Sequence, residues 1–367
     1  MKDKKVLFVA HVDGHIQAFH IPYLKLFKEE GYVVDVASNG DKVFDYCDHK
    51  YNICFQRNPL SPKNIKAYKM LKKVLDDNEY DIIHCHTPVG GFVARLANKN
   101  SIRYKTTKMI YTAHGFHFFK GNNPVKNFIF RTVEKYAAKF TDILITINKE
   151  DYDAANKFKL KEYGKVEYVP GVGINIDKIN TVQGDKEKLC QQLNIPNDSF
   201  LMLSVGELSV RKNHEVVVNA LEQLGNNVHY LICGQGSRHD YLIDLAKEKN
   251  VSDRLHLLGF CNNIPEIMKS CDLFVFPSLQ EGLPVAVMEA MACGMACIVS
   301  DIRGNHDLID SNGGYVIPVD CFTDECSKIV SGKHDKFDEM KKYNLKKSES
   351  YRLDTIIEEM KEIYGMR

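Results

Sequence analysis

The segment PSLQEGLPVAVMEAMACG, residues 277–294, indicates both the fold and the chemistry of this chain. It reads as a loop that continues into a helix, because Pro284 suits the first helical position, where no N–H is needed. Gly282 and Leu283 stand just before this helix, so their backbone N–H groups can face an anion. Such a helix start predicts a diphosphate site.

Two glutamates lie in this segment with seven residues between them. Glu281 stands in the loop and Glu289 on the helix, so one carboxylate can reach a group in front of the helix while the other holds a group alongside it. The alternative is an ordinary amphipathic helix with a capping glutamate. The rest of the chain has to decide between these interpretations.

Composition limits the class of protein. The chain has 367 residues, of which 44% are hydrophobic, enough for two domains with separate cores. The 49 Lys and Arg against 48 Asp and Glu give no global argument for nucleic acid. No signal peptide or membrane-spanning stretch is predicted. Eleven cysteines without disulfide-type spacing indicate free thiols in a reducing cytoplasm.

Short apolar runs alternate with helical patterns along the whole chain, which predicts an α/β protein with two parallel-sheet, Rossmann-like domains facing a central cleft. A proline and two glycines at 170–173 read as the hinge. We therefore expect an N-terminal domain over 1–171 and a C-terminal domain over 172–349. An amphipathic helix follows at about 350–367. The apolar runs are at 6–10, 33–37, 81–85, 109–112, 142–147, 166–169, 200–205, 228–233, 255–258, 273–276, 297–300 and 314–317.

The candidate ligand-contacting residues follow these strands, where open parallel sheets bind ligands. In the first half they are Gly14, which allows close backbone approach, and His114, for which the alternative is a packed loop histidine. Arg211 and Lys212, at a helix entrance after Gly206, read as an anion site. The remaining candidates lie at strand ends in the second half: Gly234, Gly259, Phe260 and Glu281.

Two motifs resemble metal sites. The run His84-Cys85-His86 contains ligand types, but alternate residues of a strand point to opposite faces, so Cys85 cannot join both histidines. Asp151-Tyr152-Asp153 falls in the first turns of a helix, where acidic residues complement the helix dipole. We interpret the D-x-D as structural and predict no metal or cofactor.

Three segments of the first half concern membrane contact. The helix at 61–75 presents lysines on one face, which fits either a solvated face or a docking face for anionic lipid. The aromatic loop at 116–121 is a second candidate. The amphipathic helix after it is predicted to pack against the core. The lysines are Lys63, Lys66, Lys69 and Lys73, and the stripe of the second helix comprises Val125, Phe128, Ile129, Thr132, Val133, Tyr136 and Ala137.

These residues together resemble the GT-B-fold, retaining glycosyltransferases of family 4, in the branch of EpsD- and CapM-type enzymes that build capsular and exopolysaccharides. The resemblance spans nearly the whole chain, and E-x7-E at Glu281 and Glu289 is its most specific part. Further matches are HTPVGG at 86–91, YTAHGF at 111–116, ITINKEDY at 145–152, VPGVG at 169–173 and VGELS with RKNH at 205–214.

The resemblance implies a UDP-sugar donor held mainly by the C-terminal domain. Glu289 would accept hydrogen bonds from the ribose, and Lys212, with the N–H groups of Gly282 and Leu283, would bind the diphosphate. Glu281 and His114 would contact the donor sugar.

The resemblance also implies that Gly14 lies near the diphosphate and Phe260 near the base, and that the C-terminal helix crosses back to the N-terminal domain. One departure is Glu207, where many relatives carry Arg. We expect Glu207 to turn away and Arg211 to supply the positive charge.

The expected reaction is metal-independent transfer of a hexosyl or N-acetylhexosaminyl group to a polyprenyl-diphosphate-linked glycan. Retention would arise by attack from the face that UDP leaves, with the leaving phosphate taking the proton and with closure around the hinge excluding water. We expect a cytoplasmic protein peripheral to the inner membrane surface. The competing hypotheses are a non-hydrolysing UDP-sugar epimerase and a non-catalytic nucleotide-sugar-binding subunit.

Overall fold

The computed structural model describes residues 4–332 and 334–366, and the chain divides into two compact units. The first unit runs to Gly171 and also contains the segment from Ile357 onward. The second unit comprises Val172–Ile356.

The first unit contains a seven-stranded parallel sheet with the order β3-β2-β1-β4-β5-β6-β7. Chain order reverses between β1 and β4. The apolar runs predict every strand except β3, whose half-exposed edge position does not require an apolar sequence. The strands are β1 (Lys5–Val9), β2 (Val33–Ser38), β3 (His49–Asn52), β4 (Ile82–His86), β5 (Lys108–Ala113), β6 (Ile143–Thr146) and β7 (Lys165–Tyr168).

Helices connect these strands. The amphipathic pattern that follows β1 up to about Glu30 predicts one helix, but the structure has two helices that meet at His20. Pro22 explains the break, because its ring clashes with the carbonyl four residues earlier and a continuous helix cannot pass through it. The helices are α1 (Asp13–Phe19), α2 (Ile21–Glu29), α3 (Lys63–Asp77), α4 (Pro88–Lys99), α5 (Pro124–Ala138) and α6 (Lys149–Ala155).

Two side chains of the aromatic loop after β5 belong to the core. Phe116 and Phe118 are each 2% exposed, and their rings stack with centroids 4.7 Å apart. They pack in the same apolar cluster as Leu7, Leu71 and Tyr111. Phe116 and Phe118 are therefore not available for membrane contact. Phe119 is half-buried and His117 and Lys120 are exposed, so docking through this loop stays a prediction.

Helix α5 turns the opposite face to the core from the one predicted. Its apolar stripe faces solvent, with Phe128 74% exposed, whereas Glu134 is buried. A buried ion pair explains the inversion: Nη2 of the fully buried Arg95 lies 2.8 Å from Oε2 of Glu134, and the Arg95 guanidinium covers the Tyr111 ring at 3.8 Å. Because an unpaired buried charge is costly, this pair fixes which face turns inward.

The second unit contains a six-stranded parallel sheet with the order β10-β9-β8-β11-β12-β13. Chain order reverses between β8 and β11. Each of its strands is predicted by an apolar run, and the expected parallel-sheet architecture of both units is confirmed. The strands are β8 (Phe200–Val205), β9 (Val228–Cys233), β10 (Leu255–Gly259), β11 (Leu273–Phe276), β12 (Ala296–Ser300) and β13 (Gly314–Ile317).

Ten α-helices begin within the described part of the second unit. They are α7 (Ile176–Asn180), α8 (Lys186–Leu193), α9 (Glu215–Leu221), α10 (His239–Glu248), α11 (Ile264–Ser270), α12 (Val285–Ala292), α13 (Asn305–Leu308), α14 (Phe322–Ser331), α15 (Phe337–Ser348) and α16 (Leu353–Tyr364).

The segment at 170–173 adopts backbone conformations that favour glycine. Gly171 and Gly173 have φ angles of +89° and +77°. A Cβ added to Gly173 would lie 2.7 Å from Cα of Leu353. Bending at this segment stays a prediction. Among the described residues, no helix is both long enough and apolar enough to cross a membrane.

Candidate functional site

The E-x7-E pattern begins in the loop between β11 and α12, at the carboxyl end of the second sheet, and ends on α12. The helix begins at Val285, one residue later than predicted, and Pro284 is its N-cap in an extended conformation. Gly282 and Leu283 precede this cap, as expected. The arrangement leaves the start of an eight-residue helix at the sheet edge where α/β proteins bind ligands.

Arg211 and Lys212 contact this loop across about seventy residues of sequence. Nη1 of Arg211 and Nζ of Lys212 lie 2.7 and 2.9 Å from Oε1 of Glu281. The same Arg211 nitrogen donates to the carbonyl of Gln280 at 2.9 Å, and the Leu279 N–H donates to the carbonyl of Arg211 at 2.8 Å. We call Arg211, Lys212 and Glu281 the ion cluster.

The ion cluster lies where chain order reverses in the second sheet. Its cations follow β8 and its carboxylate follows β11, and these two strands are neighbours. Such a reversal opens a crevice at the carboxyl ends of the strands. Within the ion cluster, two cations against one carboxylate leave one formal positive charge, which suits an anionic ligand. The charge of the exposed Glu207 also acts on Lys212 and offsets part of it.

The Lys212 side chain is buried and packed between neighbouring groups. Burial lowers its pKa, and the neighbouring Glu281 carboxylate opposes that shift. Its Nζ also lies 4.4 Å from the centroid of the Phe276 ring. Gly206 leaves room for this side chain, since a Cβ there would stand 3.0 Å from Cε of Lys212. The lysine is therefore positioned by packing as well as by charge.

Glu289 differs chemically from Glu281. It lies in the second turn of α12 and is largely buried, and this burial raises its pKa to about 7, although Lys178 opposes the shift. A carboxyl group with a pKa near neutrality is typical of functional sites. Glu289 can therefore accept or donate a hydrogen bond near pH 7.

The other candidates of the second unit divide into two kinds. Phe260 is 73% exposed after β10, so its ring is accessible for stacking. Glu207 is also exposed. Gly234 has a packing reason, because a Cβ there would stand 1.8 Å from the carbonyl oxygen of Gly206. Its N–H also donates to the carbonyl of Gly259 at 2.7 Å. Contact between Gly234 and a ligand stays a prediction.

Four histidines converge at the carboxyl end of the first sheet, and we call them the histidine cluster: His15, His20, His86 and His114. His86 ends β4 and His114 follows β5, while His15 lies on α1 and His20 at the α1–α2 junction. Nε2 of His114 lies 3.3 Å from Nδ1 of His86. The His20 and His86 rings stack with centroids 3.7 Å apart.

Burial keeps these imidazoles uncharged. It lowers the pKa of His114 to about 4 and that of His15 to about 2, and repulsion from neighbouring histidines adds to the effect at His15. Burial also lowers the pKa of His20 and His86 far below the ordinary value. At neutral pH each ring offers a lone pair and one N–H.

Sequence reasoning found His114 but missed His15 and His20 as site residues. The available signal was His15 and His20 in HVDGHIQAFH, directly after β1, which is the neighbour of β4 in the sheet. Gly14 lies in the first turn of α1, and a Cβ there would meet no atom within 4 Å. The surrounding atoms therefore do not require a glycine at this position. Contact between Gly14 and a ligand stays a prediction.

In the two motifs that resemble metal sites, the structure shows where the side chains lie, and the expected absence of a metal stays a prediction. Cys85 is buried on the opposite face of β4 from the histidines, near Sδ of Met109. Asp151 is 1% exposed and accepts from the backbone N–H of Phe116 at 2.9 Å and from the Asn148 amide at 2.8 Å. Asp151 therefore has a structural role.

Comparison with protein families gives two matches that cover different parts of the chain. Residues 5–148 match the family model described as glycosyl transferase 4-like. Residues 185–346 match the model described as glycosyl transferases group 1.

Two curated relatives match over most of their length. A putative glycosyltransferase, EpsD of Bacillus subtilis (strain 168), is 39% identical over 322 residues, which is 86% of this chain and 84% of that protein. An Escherichia coli UDP-Gal:α-D-GlcNAc-diphosphoundecaprenol α-1,3-galactosyltransferase is 29% identical over 348 residues, which is 89% of this chain and 88% of that protein.

Solved structures share the fold at lower identity. Sucrose-phosphate synthase from Thermosynechococcus elongatus aligns with a TM-score of 0.80 at 18% identity over 99% of this chain and 98% of that one. HepE from Anabaena, in complex with UDP and glucose, aligns with a TM-score of 0.75 at 18% identity over 99% of both chains. With the fold, the two family models and a 39% identical relative in agreement, the chain belongs to the GT-B-fold glycosyltransferases of family 4.

Proposed function

We propose that this glycosyltransferase moves a hexosyl or N-acetylhexosaminyl group from a UDP-sugar to a polyprenyl-diphosphate-linked glycan, with retention of configuration, in capsule or exopolysaccharide biosynthesis. The observation that carries the proposal is the ion cluster beside the start of α12. The Escherichia coli relative, named for a UDP-galactose donor and a diphosphoundecaprenol acceptor, supports these substrate classes.

The diphosphate of the donor binds to the ion cluster in this proposal. Lys212 and Arg211 supply charge, and the N–H groups of Gly282 and Leu283 add helix-terminal donors. Together they stabilise the negative charge that develops on the leaving UDP, which is the main electrostatic demand of the reaction. Gly206 and Gly14 allow the phosphates to come close to the backbone.

The remaining donor contacts are assigned by chemistry. Glu289 accepts hydrogen bonds from the ribose hydroxyls, and Phe260 stacks near the base. Glu281 and His114 hold the hydroxyl groups of the donor sugar. Gly234 keeps the loop around the nucleotide compact through its contact with Gly206.

The acceptor hydroxyl attacks the anomeric carbon from the face that UDP leaves. The new C–O bond forms as the bond to the UDP oxygen breaks, and the leaving phosphate takes the hydroxyl proton. A covalent route through Glu281 is less favoured, because its carboxylate already pairs with two cations and is a weaker nucleophile than a free one.

Transfer by this mechanism needs no divalent ion at the diphosphate. Protein treated with EDTA and then desalted is expected to keep its turnover, and added Mg²⁺ or Mn²⁺ is expected to leave it unchanged. Turnover that disappears with EDTA and returns with Mn²⁺ would contradict metal independence and would direct attention to Asp151 and Asp153.

The decisive experiment incubates the protein with a panel of UDP- and GDP-sugars, with and without a synthetic polyprenyl-diphosphate N-acetylhexosamine, and reads the products by mass spectrometry. A glycan one sugar longer, formed only with acceptor, supports the proposal. A UDP-sugar isomer formed without acceptor would identify an epimerase. Donor binding without any product would identify a nucleotide-sugar-binding subunit.

A lipid-linked acceptor implies work at the cytoplasmic face of the inner membrane. We propose that α5 docks there, since its exposed stripe lies between basic residues, a pattern typical of helices that lie in the membrane interface. The exposed lysines of α3 add attraction to anionic lipid. The basic residues of α5 are Lys126, Arg131, Lys135 and, at its C-cap, Lys139.

A further inference from the structure

We propose that the histidine cluster of the first unit is a binding site for a divalent transition-metal ion, for which Zn²⁺ is the best-matched common ion. The inference concerns metal binding by this chain and holds whichever sugar the enzyme transfers. It uses Nε2 of His114, which faces His86, and leaves Nδ1 of that ring for the donor sugar assigned to it above.

The first argument is geometric. One ring nitrogen from each histidine lies within 4.8 Å of the corresponding nitrogen of every other. Tetrahedral Zn²⁺ with Zn–N bonds of about 2.0–2.1 Å separates its ligands by about 3.4 Å. Nε2 of His114 and Nδ1 of His86 already stand 3.3 Å apart. The more distant nitrogens have to move closer on binding, and the stacked His20 and His86 rings have to turn relative to each other, because imidazole lone pairs lie in the ring plane.

The second argument is the lack of protein partners for these rings. Among the buried polar atoms of the described residues, both ring nitrogens of His20 have no hydrogen-bond partner, and neither has Nε2 of His15 or of His86. His20 and His86 are 2% and 1% exposed. Buried polar groups are nearly always paired, so such a concentration of unpaired imidazole nitrogens calls for a ligand.

The neighbouring His84 shows the contrast. Its ring stands 4.1 Å from that of His86, but its Nδ1 contacts the hydroxyl of Tyr364 at 2.7 Å and its Nε2 contacts that of Thr112 at 2.8 Å. Both nitrogens are thus used within the fold. His84 supports the ring of His86 and is not a ligand in this proposal.

The donor set selects the kind of ion. Four neutral imidazoles suit Zn²⁺, Cu²⁺, Ni²⁺ or Co²⁺, whereas Mg²⁺ and Ca²⁺ require oxygen ligands. The ligands come from the α1–α2 region and from the ends of β4 and β5. A bound ion therefore connects these three segments and stabilises the folded protein by mass action.

The test begins with metal-free, reduced full-length protein titrated with Zn²⁺ alone, and with Co²⁺ as a spectroscopic probe. We expect one saturable ion per chain, a rise in the melting temperature with Zn²⁺, and visible Co²⁺ bands of a tetrahedral nitrogen site. The eleven free cysteines make the near-ultraviolet region informative, since thiolate ligands add charge-transfer bands there.

Two variants remove one ligand each. His20→Phe keeps the aromatic packing against His86, and His15→Gln changes a half-buried helix position. Each is expected to weaken Zn²⁺ binding at least about tenfold and to abolish the Co²⁺ bands. The melting temperature of each variant without metal shows whether it is folded. Zn²⁺ affinity measured on either folded variant then tests the site.

The matched control is His256→Gln, which disrupts an isolated histidine pair in the second unit, where Nδ1 of His229 lies 3.1 Å from Nε2 of His256. It should bind Zn²⁺ like the wild type. The proposal is overturned if the wild type binds no ion saturably, if its Co²⁺ spectrum is that of thiolates, or if both cluster variants keep wild-type affinity.

Discussion

Glu281 occupies an unusual position for a residue assigned to a sugar, because its carboxylate pairs with both cations assigned to the diphosphate. An incoming diphosphate has to share Arg211 and Lys212 with it. The pairing keeps both cations in place before the donor arrives, and it also weakens their hold on an anion. The opposed effects make Glu281 a sensitive test of the proposed donor site.

Glu281→Gln is expected to bind UDP roughly fivefold more tightly, because removing one nearby negative charge is worth about 1 kcal/mol. Turnover should fall, since the neutral amide holds the sugar hydroxyls less well. Calorimetry and steady-state rates measure the two effects, with the exposed Glu266→Gln as control. Tighter UDP binding with undiminished turnover would remove Glu281 from the sugar.

Glu289 predicts a pH dependence of stability. Its pKa is about 7 in the folded chain against an ordinary value of 4.5, so folding favours the protonated form. Its contribution to stability is complete below about pH 4.5 and is lost as the pH rises through about 7. Glu289→Gln should therefore lose less stability than the wild type between pH 5 and pH 8, by up to about 3 kcal/mol.

Urea unfolding at several pH values measures this difference. The exposed Glu248→Gln serves as the matched control and should follow the wild-type profile. Parallel profiles for Glu289→Gln and the wild type would show that Glu289 titrates normally.

At the scale of elements, α5 shows that one amphipathic pattern is compatible with an apolar stripe that faces the core or one that faces solvent. The stripe through Phe128 is what a core-facing helix would carry, and sequence alone favours burial. In the tertiary structure the other face of the helix points inward, because Glu134 on that face pairs with Arg95 in the interior. An apolar stripe that faces solvent does not stabilise the core, and we propose that it contacts lipid.

The double substitution Phe128→Ser with Ile129→Ser is expected to lower binding to anionic liposomes by at least about tenfold, since each side chain contributes about 1.5–3 kcal/mol when buried in lipid. The free energy of unfolding should stay nearly unchanged, because the two side chains are 74% and 53% exposed. Sedimentation with vesicles measures binding.

Ile102→Ser provides the control for that experiment, because Ile102 is 76% exposed outside α5. It should leave liposome binding intact. Equal binding by the double variant and the wild type would exclude α5 as the docking element. The lysines of α3 and the loop at 116–121 would then be the remaining candidates.

At the scale of the whole molecule, the two sheets repeat one arrangement. Each reverses its strand order once, and the functional side chains cluster at that reversal: histidines beside β1 and β4, and the ion cluster beside β8 and β11. Crevices form at such reversals because consecutive connections leave to opposite sides of the sheet. One architecture thus presents neutral imidazoles in one unit and a cationic site in the other.

The division into two units predicts a local response to nucleotide. UDP should slow backbone hydrogen exchange around 205–212 and 277–293 in the second unit, because ligand binding suppresses local opening. The strand β3 at the edge of the first sheet serves as an internal control and should be unaffected. Protection confined to the first unit would contradict the assignment of the nucleotide to the second.

The sequence by itself determined the alternation of strands and helices, the parallel sheets and the residues at the strand ends. The sequence predicts these features because a strand buried on both faces is an apolar run of a few adjacent residues. Contacts between distant segments were decided only by tertiary structure. Sheet order brings Glu281 to Arg211 and Lys212, the break before Pro22 brings His20 to His86, and the buried Arg95 turns the stripe of α5 outward.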